Sequence, residues 1–303
     1  MSRKLITRCF LVLTFLSCTM ISSYGQIVLD DSVSNGNNFA KAAFRLWIGE
    51  ETRNVRGIIL LVPGSNGDGR DMVNKPEWQA LANEHSMALV SCYFTDKASG
   101  NRAIEHYADV SKGSGQALLD VLKRFATKSG HKELADAPMA LWGVSAGGEV
   151  NYELACWIPE RIISFIVNKG GVYYTALASE ATRAVPGVFL TGEVDNPYRN
   201  DIVRGIFSIN RRFGAQWMFA EEPGVGHQFA QSETFALKYF DQIIPLRLPA
   251  KTGSPLVPLY PEGYVGEIAS QKVKAFKKGR RYEGVTVWLP NMAIANLWLS
   301  LIK

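Results

Sequence analysis

Ser145 lies at the centre of a Gly-x-Ser-x-Gly pentapeptide that occupies residues 143–147. A short apolar run precedes it at residues 138–142, and residues 149–157 carry apolar side chains at helical spacing. On a sharp turn between a strand and a helix, a serine hydroxyl projects above the sheet edge and can attack an electrophilic carbon. The motif and its context therefore predict a nucleophilic serine at position 145.

A serine nucleophile needs a general base, and the positions of the histidines limit the choice. In chains that carry this motif on a strand-to-helix turn, the acid and then the histidine follow the serine. Three of the four histidines precede Ser145, namely His85, His106 and His131. The fourth, His227, lies in a glycine-rich loop at residues 224–229, directly after a predicted strand. We therefore expect His227 to accept the proton of the serine hydroxyl.

Two carboxylates compete for the role of the acid that orients this histidine. Residues 188–191 read as a buried strand, and Glu193 and Asp195 follow it. We predict Asp195, because the tip of the loop reaches further toward the site. Glu193, at the end of the strand, is the alternative. The carboxylate would accept a hydrogen bond from the Nδ1–H of His227 and stabilise the imidazolium that forms during the reaction.

Attack on a carbonyl carbon creates an oxyanion, and two backbone N–H groups are candidates to bind it. Ala146 follows the nucleophile and begins the predicted helix, whose dipole favours a negative charge at this end. The second candidate is the N–H of Ser65, in a glycine-rich loop at residues 63–69 that follows a buried strand. The Ser65 hydroxyl itself is expected only to cap a turn.

Strands and helices alternate along the chain in an order that predicts a mainly parallel sheet. Most of the strands are apolar runs without alternation, which indicates burial on both faces. The expected strands are residues 39–47, 57–62, 87–94, 139–142, 162–167, 188–191 and 216–219. Helices are expected after several of them, including residues 114–126 and 233–244. This order gives the α/β class, with helices on both faces of the central sheet.

The N-terminal residues 1–25 read as a signal peptide. Arg3, Lys4 and Arg8 precede an apolar run that is too short to span a bilayer, and small residues stand ahead of Gln26. We expect a secreted or periplasmic protein without a membrane span. Acylation of Cys18, which would make the chain a lipoprotein, is the alternative.

The rest of the chain divides into a predicted catalytic domain, residues 26–248, and a C-terminal extension, residues 249–303. Pro245 and Pro249 are expected to stop regular structure at the junction. The extension is rich in proline and ends in an expected short helix at residues 293–301. We expect it to pack on the catalytic domain.

Composition limits the classes of partner. With 47% hydrophobic and 20% charged residues among 303, the chain can bury a large globular core. The formal net charge of +5 falls when the signal peptide is removed, and the basic cluster at residues 272–281 reads as a solvated face, so nucleic-acid binding is not expected.

The histidines do not have the close spacing of metal ligands, so no metal is expected. Cys92 and Cys156 are compatible with a disulfide or with two free thiols.

Three segments taken in order resemble those of the α/β-hydrolase superfamily. They are residues 143–148 with 159–161, residues 191–195, and Gly226 with His227. Within the superfamily, the chain is similar to secreted esterases grouped with poly(3-hydroxybutyrate) depolymerases and feruloyl esterases over residues 39–244. The resemblance implies hydrolysis through an acyl-enzyme, without cofactor or metal. One departure is Pro63-Gly64, where many relatives have His-Gly, and it affects the expected detail of the oxyanion loop.

The leading hypothesis is a serine carboxylic ester hydrolase with Ser145, His227 and Asp195 as its triad. Its substrate would be an ester. Because the predicted signal peptide implies export, an ester derived from an extracellular polymer, either a plant-wall ester or a polyester, would suit such an enzyme. Three aromatic residues near the expected site could line the substrate pocket or serve only in packing, namely Tyr173, Tyr174 and Phe229. A serine peptidase of the same fold is the first alternative, although no repeat indicates the added domain that such enzymes use. A non-catalytic binding module is the second, although no member of the triad is missing.

Overall fold

The computed structural model describes residues 25–98, 104–278 and 285–303. Within these ranges, eight strands form one sheet in the order β1-β2-β4-β3-β5-β6-β7-β8. Their bounds are β1 Ile27–Ser34, β2 Lys41–Ile48, β3 Gly57–Val62, β4 Met87–Thr95, β5 Met139–Val144, β6 Ile162–Asn168, β7 Gly187–Gly192 and β8 Trp217–Glu222. The α-helices of the same ranges are α1 Pro76–Glu84, α2 Ser114–Ser129, α3 Ala146–Trp157, α4 Glu180–Arg183, α5 Pro197–Arg212, α6 Ser232–Arg247 and α7 Met292–Leu301.

The sheet is parallel except at one side. Strand β2 pairs antiparallel with β1 and with β4, whereas β4, β3, β5, β6, β7 and β8 run parallel to one another. Every residue of β3, β6 and β7 is buried, as expected for strands covered on both faces. The predicted mainly parallel α/β architecture is confirmed. Because parallel strands end at a common edge, the loops after β3, β5, β7 and β8 all lie at one edge of the sheet.

Aromatic side chains show how helices cover both faces. On one face, Trp78 of α1 contacts Trp142 of β5 and Phe240 of α6, at ring-centroid distances of 6.1 and 6.2 Å. On the other face, Tyr152 of α3 contacts Phe165 of β6 at 6.1 Å. All five rings are buried, so a layer of helix packs on each side of the sheet.

Strand β1 and the end of helix α6 differ from the sequence-based expectation. Strand β1 was not predicted, because its alternating half-buried residues give a weaker pattern than a continuous apolar run. Pro245 was expected to end regular structure, and this was wrong: α6 includes Pro245 and continues to Arg247. The proline removes one N–H from the last turn, yet the N–H of Leu248 still donates to the carbonyl of Ile244 at 2.9 Å. Burial of Ile244 and Arg247 on either side holds this last turn in place.

Some predictions fall outside the described residues. The signal peptide lies outside them except for Gly25, and so does Cys18, the alternative lipidation site. The end of the basic cluster, residues 279–281, also lies outside them. Cys92 and Cys156, which do lie inside, are both free thiols.

The C-terminal extension packs against the last strand of the central sheet. It contains a small antiparallel sheet of β9 Tyr264–Glu267, β10 Lys272–Ala275 and β11 Thr286–Leu289, which was not predicted, followed by α7. Both β11 and α7 contact β8, the edge strand. Trp298 of α7 is fully buried, and its indole N–H donates to the carbonyl of Phe219 in β8 at 2.8 Å. The extension therefore covers an edge that would otherwise expose unpaired backbone groups.

This contact makes a prediction about stability. Trp298→Ala should lower the free energy of unfolding by about 3–5 kcal/mol, because a large buried ring is lost. Trp298→Phe keeps most of the ring and should cost less, about 1–2 kcal/mol, mainly from the unsatisfied carbonyl of Phe219. Urea unfolding followed by far-UV circular dichroism measures both. Tyr260→Ala in the same extension is the control, because that side chain is 69% exposed. Equal midpoints for Trp298→Ala and this control would contradict the role of the tryptophan.

Candidate active site

Ser145 occupies the turn between β5 and α3 in a conformation that L-amino acids rarely adopt. Its φ is 53° and its ψ is −127°. Such a backbone costs about 1–3 kcal/mol and persists only where its surroundings hold it. Here the N–H of Ser145 donates to the carbonyl of Asn168 at 2.8 Å, and the carbonyl of Ser145 accepts from Gly148 at 2.8 Å. The turn is thus fixed by the end of β6 on one side and by the first turn of α3 on the other.

Gly147 shows why this turn needs a glycine two residues after Ser145. A Cβ at position 147 would lie 2.3 Å from the carbonyl oxygen of Val62 and 2.6 Å from that of Pro63. The first turn of α3 therefore passes directly over the end of β3. No side chain fits between these two pieces of backbone, so the approach of the loop after β3 to Ser145 depends on Gly147.

His227 and Asp195 are in direct contact. Nδ1 of His227 lies 2.8 Å from Oδ2 of Asp195. The Asp195 side chain is 4% exposed and that of His227 is 37% exposed, so the carboxylate is shielded while the imidazole reaches solvent. The other oxygen of Asp195 accepts from the N–H of Asn196 at 2.6 Å. With both oxygens engaged, the carboxylate can hold the imidazole in one orientation.

Glu193, the alternative acid, has a different contact. Its Oε2 accepts from the backbone N–H of Gly224 at 2.7 Å. It therefore binds the base of the loop that carries the histidine, and not the imidazole. Asp195 is the carboxylate that the structure brings to His227.

Ser145 and His227 both lie at the edge of the sheet where the parallel strands end. In the described part of the chain, no hydrogen bond links the Ser145 hydroxyl to the imidazole. The two segments nevertheless meet, because the ring of Phe229, two residues after His227, lies 6.5 Å from that of Trp142, three residues before Ser145. Catalytic hydrogen bonds are often long in the absence of substrate and tighten in the complex.

The loop after β3 reaches Ser145. A Cβ at Gly64 would lie 3.6 Å from the Cβ of Ser145. The next residues are held by hydrogen bonds: the N–H of Asn66 donates to the hydroxyl of Tyr107 at 3.1 Å, and the Asn66 amide donates to the Ser65 hydroxyl at 3.1 Å. The Ser65 side chain thus takes part in the turn, as expected for that hydroxyl. Ala146 is the first residue of α3, so its N–H has no acceptor within the helix.

The three aromatic residues expected near the site have different environments. Tyr173 packs into the interior, edge-to-face on Tyr152 at 5.2 Å, with a buried hydroxyl. Tyr174 is 40% exposed and donates its hydroxyl to the carbonyl of Glu105 at 3.1 Å. Phe229 is also 40% exposed and lies beneath the ammonium of Lys75, 5.7 Å from the ring centroid. Tyr174 and Phe229 therefore keep surface that a ligand could contact.

Glu149, in the first turn of α3, was missed by the sequence analysis. Its Oε1 accepts from the N–H groups of Gly171 and Val172 at 2.8 and 2.9 Å, which fixes the loop after β6, while Oε2 is buried without a partner. Burial raises the pKa of this carboxyl group to about 7, and the two backbone hydrogen bonds only partly oppose that effect. A glutamate in a helix that also contains apolar residues gives no sequence signal of such burial.

Other kinds of site can be assessed only for the described residues. Among them, no group of three or more histidine, cysteine, aspartate or glutamate side chains is arranged to hold a metal ion. None of the helices in the described ranges combines the length and apolar character needed to cross a bilayer.

Solved structures show which fold this is. The chain is similar to a ferulic acid esterase, with 12% identity and a TM-score of 0.53 over 73% of this chain and 98% of that one. It is also similar to poly(aspartic acid) hydrolase-1 from Sphingomonas sp. KT-1, with 13% identity and a TM-score of 0.50 over 70% and 97% of the two chains. No family model and no curated protein matches the sequence. The chain has the α/β-hydrolase fold, and the predicted resemblance is confirmed at that level.

The raised pKa of Glu149 makes a prediction about stability and pH. The pKa of this carboxyl group is 4.5 in the unfolded chain and about 7 in the folded protein. Between these two pH values the folded state therefore keeps the carboxyl proton that the unfolded chain has lost. Stability from this group is fully present below pH 4.5 and is lost as the pH rises through 7. Glu149→Gln keeps an acceptor for Gly171 and Val172 but cannot ionise. Relative to wild type, its free energy of unfolding should rise by about 1–3 kcal/mol between pH 5 and pH 8, measured by urea titration. A constant difference across that range would contradict the assignment.

Proposed function

We propose that the chain is an exported serine hydrolase that cleaves carboxylic esters through an acyl-enzyme. Ser145 is the nucleophile, His227 is the general base and then the general acid, and Asp195 orients the imidazole. The contact between Asp195 and His227 at 2.8 Å, at the sheet edge where the strained Ser145 also lies, is the observation that carries the proposal. The α/β-hydrolase fold is consistent with this assignment, since the Ser-acid-His order along the chain is the one used on this fold.

The reaction would proceed in two halves. In the first, Oγ of Ser145 attacks the ester carbonyl carbon while Nε2 of His227 takes the hydroxyl proton, and the resulting oxyanion accepts hydrogen bonds from the N–H groups of Ala146 and Ser65. Collapse of this intermediate breaks the bond to the alcohol, which leaves with the proton from His227. In the second half, water attacks the acyl-enzyme by the same steps and releases the acid.

Features around the site support an ester with an extended group on one side. Phe229 and Tyr174 retain exposed ring surface, and the imidazole of His227 is more than one third exposed. An open site of this kind suits a large or polymeric ester. The solved structures with similar folds include a ferulic acid esterase, and aryl esters are therefore the first substrates to test here, followed by polyesters.

The nucleophile can be tested by labelling. The chain from Gln26 onward should react with a fluorophosphonate probe, because the activated hydroxyl of Ser145 attacks phosphorus as it attacks a carbonyl carbon. Ser145→Ala should abolish labelling and reduce hydrolysis of p-nitrophenyl acetate to a level near the uncatalysed rate. Gel fluorescence and absorbance at the nitrophenolate band measure the two effects. Ser65→Ala is the matched control, because it keeps the backbone N–H and removes only a hydroxyl. Equal labelling of wild type and Ser145→Ala would refute the assignment.

The acid can be tested by a pair of isosteric changes. Asp195→Asn should lower kcat by about 10³–10⁴-fold, because an amide favours the wrong tautomer of His227. Glu193→Gln should change kcat by less than about threefold, because its side-chain carbonyl still accepts from Gly224. Steady-state kinetics on the same ester measure both. If Glu193→Gln is the more damaging change, the acid is Glu193.

A further inference from the structure

A buried polar network lies beneath the histidine loop, residues 223–231. Its members are Asn168, Lys169, Glu222 and Ser232, and all four are buried. The ammonium of Lys169 pairs with Oε2 of Glu222 and also donates to Oδ1 of Asn168 at 3.1 Å. The side chains of this pair are 0% and 2% exposed. Neither the proposed triad nor the oxyanion donors include any of these four residues.

Glu222 closes the histidine loop at its base. The loop begins directly after Glu222, the last residue of β8, and ends at Gln231, which precedes α6. Oε1 of Glu222 accepts from the N–H of Gln231 at 3.0 Å. One side chain thus joins the two ends of the segment that carries His227. It also lies at the N-terminus of α6, where a carboxylate is favoured.

Asn168 connects the same loop to the nucleophile. Its backbone carbonyl accepts from the N–H of Ser145 at 2.8 Å, and its side-chain amide donates to the hydroxyl of Ser232 at 2.9 Å. That hydroxyl in turn donates to the carbonyl of Phe229, two residues after His227. A continuous chain of hydrogen bonds therefore runs from the backbone of the nucleophile to the loop of the base.

Two features show that this network is more than ordinary packing. A buried ion pair seldom stabilises a fold more than apolar residues of the same size would. Lys169 also has a φ of 56°, a left-handed conformation that a lysine adopts only where its surroundings require it. The fold therefore keeps a buried charge pair and a strained residue directly between the two catalytic segments.

We propose that Lys169 and Glu222, together with Asn168 and Ser232, are positioning residues that set the place of His227 relative to Ser145. Glu222 fixes the ends of the loop, and Lys169 keeps the carboxylate aimed at Gln231. The inference rests on the proposed function, because it assigns the network to the same catalytic reaction. Loosening the network should slow the proton transfer while leaving substrate binding unchanged.

The experiment compares two double variants that differ only at position 222. Both carry Lys169→Met, so that no buried ammonium is left unpaired. Glu222→Gln keeps an acceptor for the N–H of Gln231, whereas Glu222→Met has a similar length and no acceptor. Glu221→Gln is the control for loss of a carboxylate. Glu221 lies on the same strand, and its ion-pair partner Arg204 is outside the network.

The readout is kcat for each active site, with active sites counted by fluorophosphonate titration. We expect kcat of the double variant with Glu222→Met to be at least tenfold below that of the double variant with Glu222→Gln, with KM within twofold. Hydrogen exchange of residues 223–231 should also be faster in the double variant with Glu222→Met. A purely structural role would reduce the number of active sites and leave kcat for each site equal in the two double variants.

The outcomes separate this inference from the proposed function. Equal kcat for each site in the two double variants of an active enzyme overturns the positioning role alone. A wild-type chain that neither hydrolyses esters nor reacts with the probe overturns the proposed function, and the positioning role with it. Should a double variant fail to fold, Ser232→Ala provides the second test, because it cuts the link from Asn168 to Phe229. It should lower kcat for each site severalfold with KM unchanged, and an unchanged kcat overturns the inference.

Discussion

The loops that follow β7 and β8 are hydrogen-bonded to each other, and the candidate site depends on this pairing. The N–H of Glu193 donates to the carbonyl of Glu222 at 3.0 Å, and the N–H of Val194 donates to that of Val225 at 3.0 Å. These bonds continue the parallel ladder of β7 and β8 beyond the strands. The backbone pairing of the two loops therefore places Asp195 next to His227. The contact does not require two independently moving loops to come together. Parallel pairing is what brings both ends to one edge of the sheet.

The same edge concentrates features that oppose stability. Ser145 and Lys169 both have positive φ, Glu149 is a carboxyl group with a raised pKa, and Lys169 and Glu222 are buried charges. Each would cost free energy on its own. The fully buried strands and the helix layers on both faces provide the compensating apolar burial. Cover of the β8 edge by the C-terminal extension adds to this apolar burial.

The sequence predicted the strands of the central sheet well because most of them are continuous apolar runs, and it missed β1 because that strand is half-buried. The candidate residues Ser145, Asp195 and His227 could also be proposed from the sequence, since the motif and the only downstream histidine leave few choices. The sequence did not predict that Glu149, Lys169 and Glu222 are buried beside the candidate site. Their burial depends on which loops fold over them, and neither residue type nor spacing records that. The small sheet of the extension was missed for a different reason, because its strands of four residues give too short a pattern.

The loop after β3, which is proposed to bind the oxyanion, begins at Pro63. A proline fixes its own φ and supplies no N–H, so it cannot act as a donor at this position. The residues after it are held from outside the loop. Tyr107 binds the N–H of Asn66, and the side-chain carbonyl of Asn66 accepts from the N–H of Asp96 at 2.8 Å. At the far end, the hydroxyl of Ser91 donates to the carbonyl of Gly69 at 2.6 Å. These contacts hold the backbone next to Ser145 without a hydrogen-bond donor from position 63.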